Sequence, residues 1–212
     1  MAVYFISGTD TGIGKTVATG WLARRFAAAG KTVVTQKLIQ TGCEGISEDI
    51  IEHRRIMGIN LLREDSDMTT CKYVLKYPAS PHIAGRLENV AYDIDSIDAN
   101  TRKLAAKFDV VLVEGAGGLA VPIFENFLMA DYVKKYALPL WLVVPSRLGS
   151  LNHAILSLEF AKRKGLELAG IIYNTYPKVP VEIESSTREY LKNYISEKFP
   201  RAELLDMERL KS

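Results

Sequence analysis

The chain has 212 residues, long enough for one domain with a substantial core, and its 48% apolar and 25% charged residues are ordinary for a globular protein. A formal net charge of +2 is too balanced to point to nucleic acid or an anionic membrane surface, and no apolar run approaches the ~18 residues that a membrane span needs. The two cysteines (Cys43, Cys71) and three scattered histidines (His53, His82, His153) form neither a disulfide scaffold nor a metal-ligand spacing, and the chain starts directly on a strand without a leader; the expectation is a cytoplasmic protein.

The first element is the apolar run Ala2-Val3-Tyr4-Phe5-Ile6, followed by Gly8-Thr9-Asp10-Thr11-Gly12-Ile13-Gly14-Lys15-Thr16 and a helical stretch over 16–29. A strand, a glycine-rich turn ending in Gly-Lys-Thr and a helix predict a phosphate-binding loop. The glycines let successive N–H groups point at phosphate oxygens, and the helix N-terminus adds partial positive charge there. Gly12, Ile13, Gly14 and Val17 belong to this cradle. Lys15 would reach the β- and γ-phosphates, and the Thr16 hydroxyl would bind Mg²⁺. The loop departs from the standard spacing, with five residues between Gly8 and Gly14 instead of four. Asp10 stands where partner-regulated dimeric ATPases carry a second lysine. The extra hydroxyls and carboxylate of Thr9, Asp10 and Thr11 point to a second substrate beside the phosphates.

Residues 32–39 read as a second, β-branched strand that carries Lys37 near its end, and a helix over 48–57 takes Ser47 as its N-cap. The signal over 60–77 is weak, with 70–75 a candidate edge strand. Pro78-Ala79-Ser80-Pro81-His82 is a rigid turn before a short helix, and another helix covers 95–107. The apolar strand over 108–114 ends in Glu114 and runs into Gly115-Ala116-Gly117-Gly118. A carboxylate at that place, downstream of a phosphate loop, is suited to hold the same Mg²⁺ as Thr16. Then follow a helix near 127–136, a strand over 140–144, a helix over 151–164 closed by Gly165, a strand over 168–174 ending in Asn174, and a last long helix over 181–198. Alternating strands and helices, each strand nearly all apolar, predict a doubly wound α/β fold with a mostly parallel sheet and helices on both faces. Right-handed crossovers bring the strand ends at Lys37, Glu114, Pro145 and Asn174 to one edge. Near that edge lie Glu48 and Asp49, rival candidates for a metal ligand, and the helix start Ser146–His153, whose free N–H groups suit a carboxylate or phosphate.

Taken together, the Gly-Thr-Asp-Thr loop with Gly14-Lys15-Thr16, Lys37 with Thr41-Gly42, Ser80-Pro81-His82, Val113-Glu114-Gly115-Ala116-Gly117-Gly118, Leu148-Gly149-x-x-Asn152-His153 and Ala169-Gly170 before Asn174 resemble the dethiobiotin synthetase family. The motifs follow the family's order from residue 8 to about 174. The resemblance implies an ATP- and Mg²⁺-dependent ring closure in biotin synthesis. Carbon dioxide and 7,8-diaminononanoate form a carbamate, its oxygen takes the γ-phosphoryl group, and the second amine attacks the activated carbon. It also implies roles for single residues. Lys37 and Lys15 are catalytic, and Thr16, Asp49 and Glu114 hold the metal. Gly115, Ala116, Gly117 and Asn174 join the loop in nucleotide binding. Thr11, Lys37 and Thr41 bind the diamine or carbamate. Gly149, Ser150, Leu151 and Asn152 anchor the substrate carboxylate across a homodimer interface.

Three departures from the family bear on these expectations. Thr41 stands where the family commonly has Ser, and Leu38 where it has Pro after the active-site lysine; neither removes a needed group. Many members also continue past the last helix into a Gly-x-Pro-containing strand and loop that help hold the adenine. Here Ala202-Glu203-Leu204-Leu205-Asp206 leads only to Ser212, so the expectation is that this partner is missing and base recognition is weak. A switch ATPase controlled by a protein partner is the alternative reading, opposed by Asp10 and Lys37. A corrinoid-acting amide synthetase normally carries a fused glutamine-hydrolysing domain, for which the chain has no room. Tyr190 and Tyr194 on the last helix either face a partner's substrate site or pack.

Overall fold

The structure, a computed structural model, describes residues 1–210. In chain order the elements are β1 (Ala2–Gly8), α1 (Lys15–Ala28), β2 (Val33–Lys37), β3 (Gln40–Thr41), α2 (Glu48–Met57), α3 (Arg63–Ser66), β4 (Val74–Leu75), α4 (Pro81–Leu87) and α5 (Ile94–Ala105). The second half contains β5 (Val110–Gly118), β6 (Pro122–Phe124), β7 (Phe127–Leu128), α6 (Met129–Lys135), β8 (Leu140–Pro145), α7 (Ser150–Lys164), β9 (Leu168–Asn174), α8 (Val181–Lys198) and β10 (Glu203–Met207).

Six strands form the main sheet in the order β10-β9-β8-β1-β5-β2, and every neighbouring pair is parallel. The inner strands are buried on both faces, as their continuous apolar composition requires. Side chains alternate between two cores. Ile6, Val33, Leu112, Val143 and Ile172 pack with Ala18, Leu22 and Ala23 of α1 on one face. Phe5, Val34, Val111, Val113 and Leu142 pack with residues of α5, α6, α7 and α8 on the other. The α/β class expected from the alternation is the fold observed.

Local rules account for the helix that matters most to the site. Ser47 caps α2 by accepting from the Ile50 N–H, and Gly58 ends it in the left-handed conformation. Glu48 and Asp49 lie in its first turn and Arg54 and Arg55 in its last, each sign matched to the helix dipole.

Two expectations are corrected. The candidate edge strand over 70–75 is only Val74–Leu75, and it pairs with β3 in a separate two-stranded ribbon. Residues 70–73 do bond the end of β2 and the start of β3, through Lys37 N–H to the Thr70 carbonyl and Gln40 N–H to the Tyr73 carbonyl, but make no continuous ladder. The chain after the last helix, expected to lack a strand of the family's kind, does add one to the sheet. Residues 203–207 form β10, parallel to β9 with Met207 opposite Asn174. Gly170 permits that approach, because a Cβ there would stand 2.5 Å from the Glu203 carbonyl oxygen. As a half-exposed edge, β10 lacks the apolar run that marks the inner strands.

Candidate active site

Parallel pairing places Lys37 directly opposite Glu114, and Ile6 opposite Glu114 on the other side. Lys37 shares a face of the sheet with Thr35, two residues earlier, and α2 covers that face. The outcome is a buried cluster at the C-terminal edge of the sheet. Lys37 Nζ lies 2.5 Å from Asp49 Oδ2, 2.8 Å from Glu114 Oε1 and 3.2 Å from the Gly115 carbonyl oxygen. The Thr16 hydroxyl reaches Asp49 Oδ1 at 2.9 Å and Glu114 Oε1 at 3.3 Å. Asp49 therefore brings its carboxylate to Thr16, whereas Glu48 is exposed.

Burial and charge oppose each other throughout this cluster. For Lys37 burial favours the neutral amine, but Glu114 and Asp49 outweigh it and hold the ammonium well above the usual lysine range. For Glu114 burial favours the acid, but the Lys37 charge and the His53 hydrogen bond hold the carboxyl well below the usual carboxylate range. Lys15 has weaker compensation. Burial, joined by repulsion from Lys37, pushes it down to about 8 against the pull of Glu114, Asp49 and Asp10. Its Nζ donates to the Asp10 carbonyl at 2.7 Å, folded across its own loop.

Two chambers meet at that loop and share Gly12, Gly14 and Val17 in their walls. The charged chamber holds about 440 Å³, with Thr11 and Thr41 at its sides and Lys15, Thr16, Lys37, Asp49 and Glu114 among its charged and polar groups. Ala116 and Gly117 complete its wall, so most of the residues predicted for phosphate, metal and diamine converge here. The second chamber, about 420 Å³, is lined by Asn174, Tyr176, Pro177 and the stretch from Met207 to Leu210. Asn174 does two jobs at the boundary. Its Nδ2 donates to the Ile13 carbonyl at 2.9 Å, and its Oδ1 accepts from the Tyr176 N–H at 3.1 Å. Gly14, at φ 91°, admits this contact, since a Cβ would stand 2.7 Å from Asn174 Nδ2.

The remaining predicted group stands apart. Gly149 is the left-handed N-cap of α7, Ser150 is buried, Leu151 packs its side chain toward the core, and Asn152 is exposed; none of the four lines either chamber. Asp10, expected to be free, lies 3.3 Å from Arg147 across the loop. Tyr190 and Tyr194 stack on each other on α8, and the Tyr194 hydroxyl bonds Glu159.

Sequence reasoning missed His53, which is fully buried, with Nε2 2.8 Å from Glu114 Oε2 and Nδ1 3.0 Å from Thr35 Oγ1. A helical histidine without ligand spacing gives no signal of this kind. The only clue is its place one turn after Asp49.

A family model described as an AAA domain matches residues 2–205. The ATP-dependent dethiobiotin synthetase BioD 2 of Haemophilus ducreyi is 47% identical over 207 residues, 98% of each chain. The ATP-dependent dethiobiotin synthetase BioD of Chlorobaculum tepidum is 51% identical over 189 residues, 89% of this chain and 79% of that one. Among solved structures, the MinD cell division protein of Aquifex aeolicus aligns with a TM-score of 0.54 at 17% identity, over 96% of this chain and 80% of its own. The pNOB8 ParA bound to nonspecific DNA aligns at 0.58 and 13%, over 99% and 86%. These two show the shared fold.

Proposed function

The chain belongs to the ATP-dependent dethiobiotin synthetases, and from that premise we propose how its own residues divide the work of the reaction. It is an ATP-dependent carbon–nitrogen ligase of biotin biosynthesis. The whole chain acts as one nucleotide-binding unit. ATP lies along the phosphate loop with its base in the chamber of Tyr176 and Met207 and its γ-phosphate in the charged chamber. The carbamate made from 7,8-diaminononanoate and carbon dioxide enters the same chamber between Thr11 and Thr41.

One observation carries this reading: Lys37 sits in register opposite Glu114, beside Thr16 and Asp49, on the floor of the chamber that the loop opens into. A switch ATPase has no use for a buried lysine there. All three Nζ protons of Lys37 have partners, so contact with the carbamate requires exchanging one of them. Asp49 is the partner to give way, because its side chain is 24% exposed against 1% for Glu114. Lys37 then neutralises the carbamate oxygen as it attacks the γ-phosphorus, and ADP departs. Lys15 leaves the Asp10 carbonyl for the transferring phosphoryl group. The second amine attacks the anhydride carbon, phosphate leaves and the cyclic urea closes.

The oxygens of Thr16, Asp49 and Glu114 suit Mg²⁺, which takes hard oxygen donors, one or two carboxylates and substrate phosphates. Among the described residues no group of three or more His, Cys, Asp and Glu converges. When bound there, the ion would supply charge neutralisation at the phosphates.

The α7 start at Gly149, Ser150, Leu151 and Asn152 serves a second copy of the chain, anchoring that copy's substrate carboxylate in a homodimer. In support, it stands outside both chambers beside Leu148, which is 77% exposed. A cytoplasmic location agrees with two free, buried cysteines, and no described helix is long and apolar enough to cross a membrane.

The decisive assay follows phosphate release from ATP with diaminononanoate and bicarbonate supplied singly and together. Release only with both is expected. Release without the diamine, or only with a protein partner, rejects the reading.

A further inference from the structure

Glu114 is held at both oxygens, and only one of them faces the chamber. Oε1 meets Lys37 at 2.8 Å and Thr16 at 3.3 Å, while Oε2 turns away toward His53 Nε2 at 2.8 Å. His53 lines neither chamber and is fully buried between α2 and the sheet. Behind it a line of buried polar side chains continues. His53 Nδ1 lies 3.0 Å from Thr35 Oγ1, and Arg54 Nη1 donates to the same oxygen at 2.8 Å. Arg54 in turn forms a two-pronged pair with Asp65, Nε to Oδ2 at 2.9 Å and Nη2 to Oδ1 at 2.8 Å. Asp65 also accepts from the Thr70 hydroxyl and the Leu62 N–H, each at 2.8 Å.

Donor and acceptor accounting gives this line a direction. Arginine only donates, so Thr35 Oγ1 accepts from Arg54. The single hydroxyl proton of Thr35 is then free for His53 Nδ1, which accepts it. An ionised carboxylate only accepts, so the remaining imidazole proton sits on Nε2 and is donated to Glu114. Every buried polar atom from Arg54 to Glu114 has a partner in this arrangement. The opposite tautomer would set a bare Nε2 against Glu114 Oε2 and leave two acceptors facing each other. A ligand's outer partner that fixes its orientation is a recurrent device in oxygen-donor sites, and its loss commonly costs about 10–100-fold in metal affinity or activity.

We propose that His53 is a positioning residue for the reaction: its Nε2–H fixes Glu114 so that Oε1 alone faces Thr16 and Lys37, and Arg54 sets that tautomer through Thr35. The proposal rests on Glu114 serving the site as described above. Among the described residues the His53 ring bonds only Glu114 and Thr35, and not Lys37 or the phosphate loop, so its hydrogen-bonded route to the site is the Glu114 carboxylate.

The test uses the full chain. In ¹⁵N-histidine spectra recorded without metal or nucleotide, His53 should show a protonated Nε2 and a bare Nδ1. Thr35→Val, which replaces the hydroxyl by a methyl group of similar size, should perturb that ring while Arg54 keeps its pair with Asp65 and the chain still folds. His53→Met should lower kcat about 10–100-fold and weaken binding of Mn²⁺, measured by its paramagnetic signal in the presence of ADP. His53→Gln, whose amide can donate to the same oxygen, should recover most of both losses. A ring protonated on Nδ1 overturns the proposal, as does His53→Met with wild-type kcat and Mn²⁺ binding. Equal losses in the Met and Gln variants also overturn it, because they mark a packing role. Should His53→Met not fold, the wild-type ring and Thr35→Val still decide. The correct tautomer in a chain that makes no dethiobiotin would reject the function and leave the placement of His53 standing.

Discussion

The two chambers that meet at the phosphate loop are built by opposite means. The charged chamber is held by side chains bonded to side chains, drawn from α1, β2, α2 and β5, with Lys37, His53 and Glu114 buried and Thr16 and Asp49 partly so. The second chamber, where we propose that the base sits, is held chiefly by backbone and by the end of β9, and its aromatic wall is open: Tyr176 is 46% exposed, with the Arg209 guanidinium 5.1 Å above its ring. Reaction chemistry needs groups fixed to within fractions of an ångström, and a buried, fully paired network supplies that. Holding a base needs a surface and a few bonds. The first design is costly to disturb and the second is tolerant.

Arg54→Met attacks the contrast at its strongest point. It strands the buried Asp65 carboxylate, so unfolding by denaturant should show a loss of about 3–5 kcal/mol. A change under about 1 kcal/mol would mean that the network behind the charged chamber is not what holds it. Next in size is Lys37→Gln. Single-turnover kinetics should show phosphoryl transfer slowed about 10²–10³-fold, the usual cost of removing one preorganised transition-state donor. Affinity for ATP should move by no more than about threefold; an equal loss in both would make Lys37 a nucleotide ligand. The smallest effect belongs to the open wall. Tyr176→Ala should raise KM for ATP about tenfold, within the range for base–aromatic stacking, with kcat little changed. It should also narrow the gap between ATP and GTP as phosphoryl donors. A fall in kcat as large as the rise in KM would erase the distinction between the chambers.

The same contrast decides what could be read from the sequence. The charged chamber was legible because its residues sit in glycine-marked turns and at strand ends, where chain order and residue type carry the meaning: Gly14-Lys15-Thr16, Lys37, Glu114. Even Asp49 was within reach, as one of two acids after the Ser47 cap. His53, Arg54 and Asp65 were not legible. Their roles come from three-dimensional packing between α2, β2 and α3, and a buried ion pair between residues 54 and 65 has no periodic signature. The strand that follows the last helix was not legible for a different reason. β10 is an edge strand with two acids in five residues, and its close approach to β9 depends on Gly170, where a Cβ would meet the Glu203 carbonyl and Trp141.

The strand order has a further consequence for the chain as it leaves the ribosome. β2, β5 and β1 lie side by side, and every member of the charged cluster has been made by residue 118. β8, β9 and β10 then add outward from β1, one after another, in the order of synthesis. The three strands that carry the charged cluster are thus synthesised before the three that extend the sheet on the other side of β1.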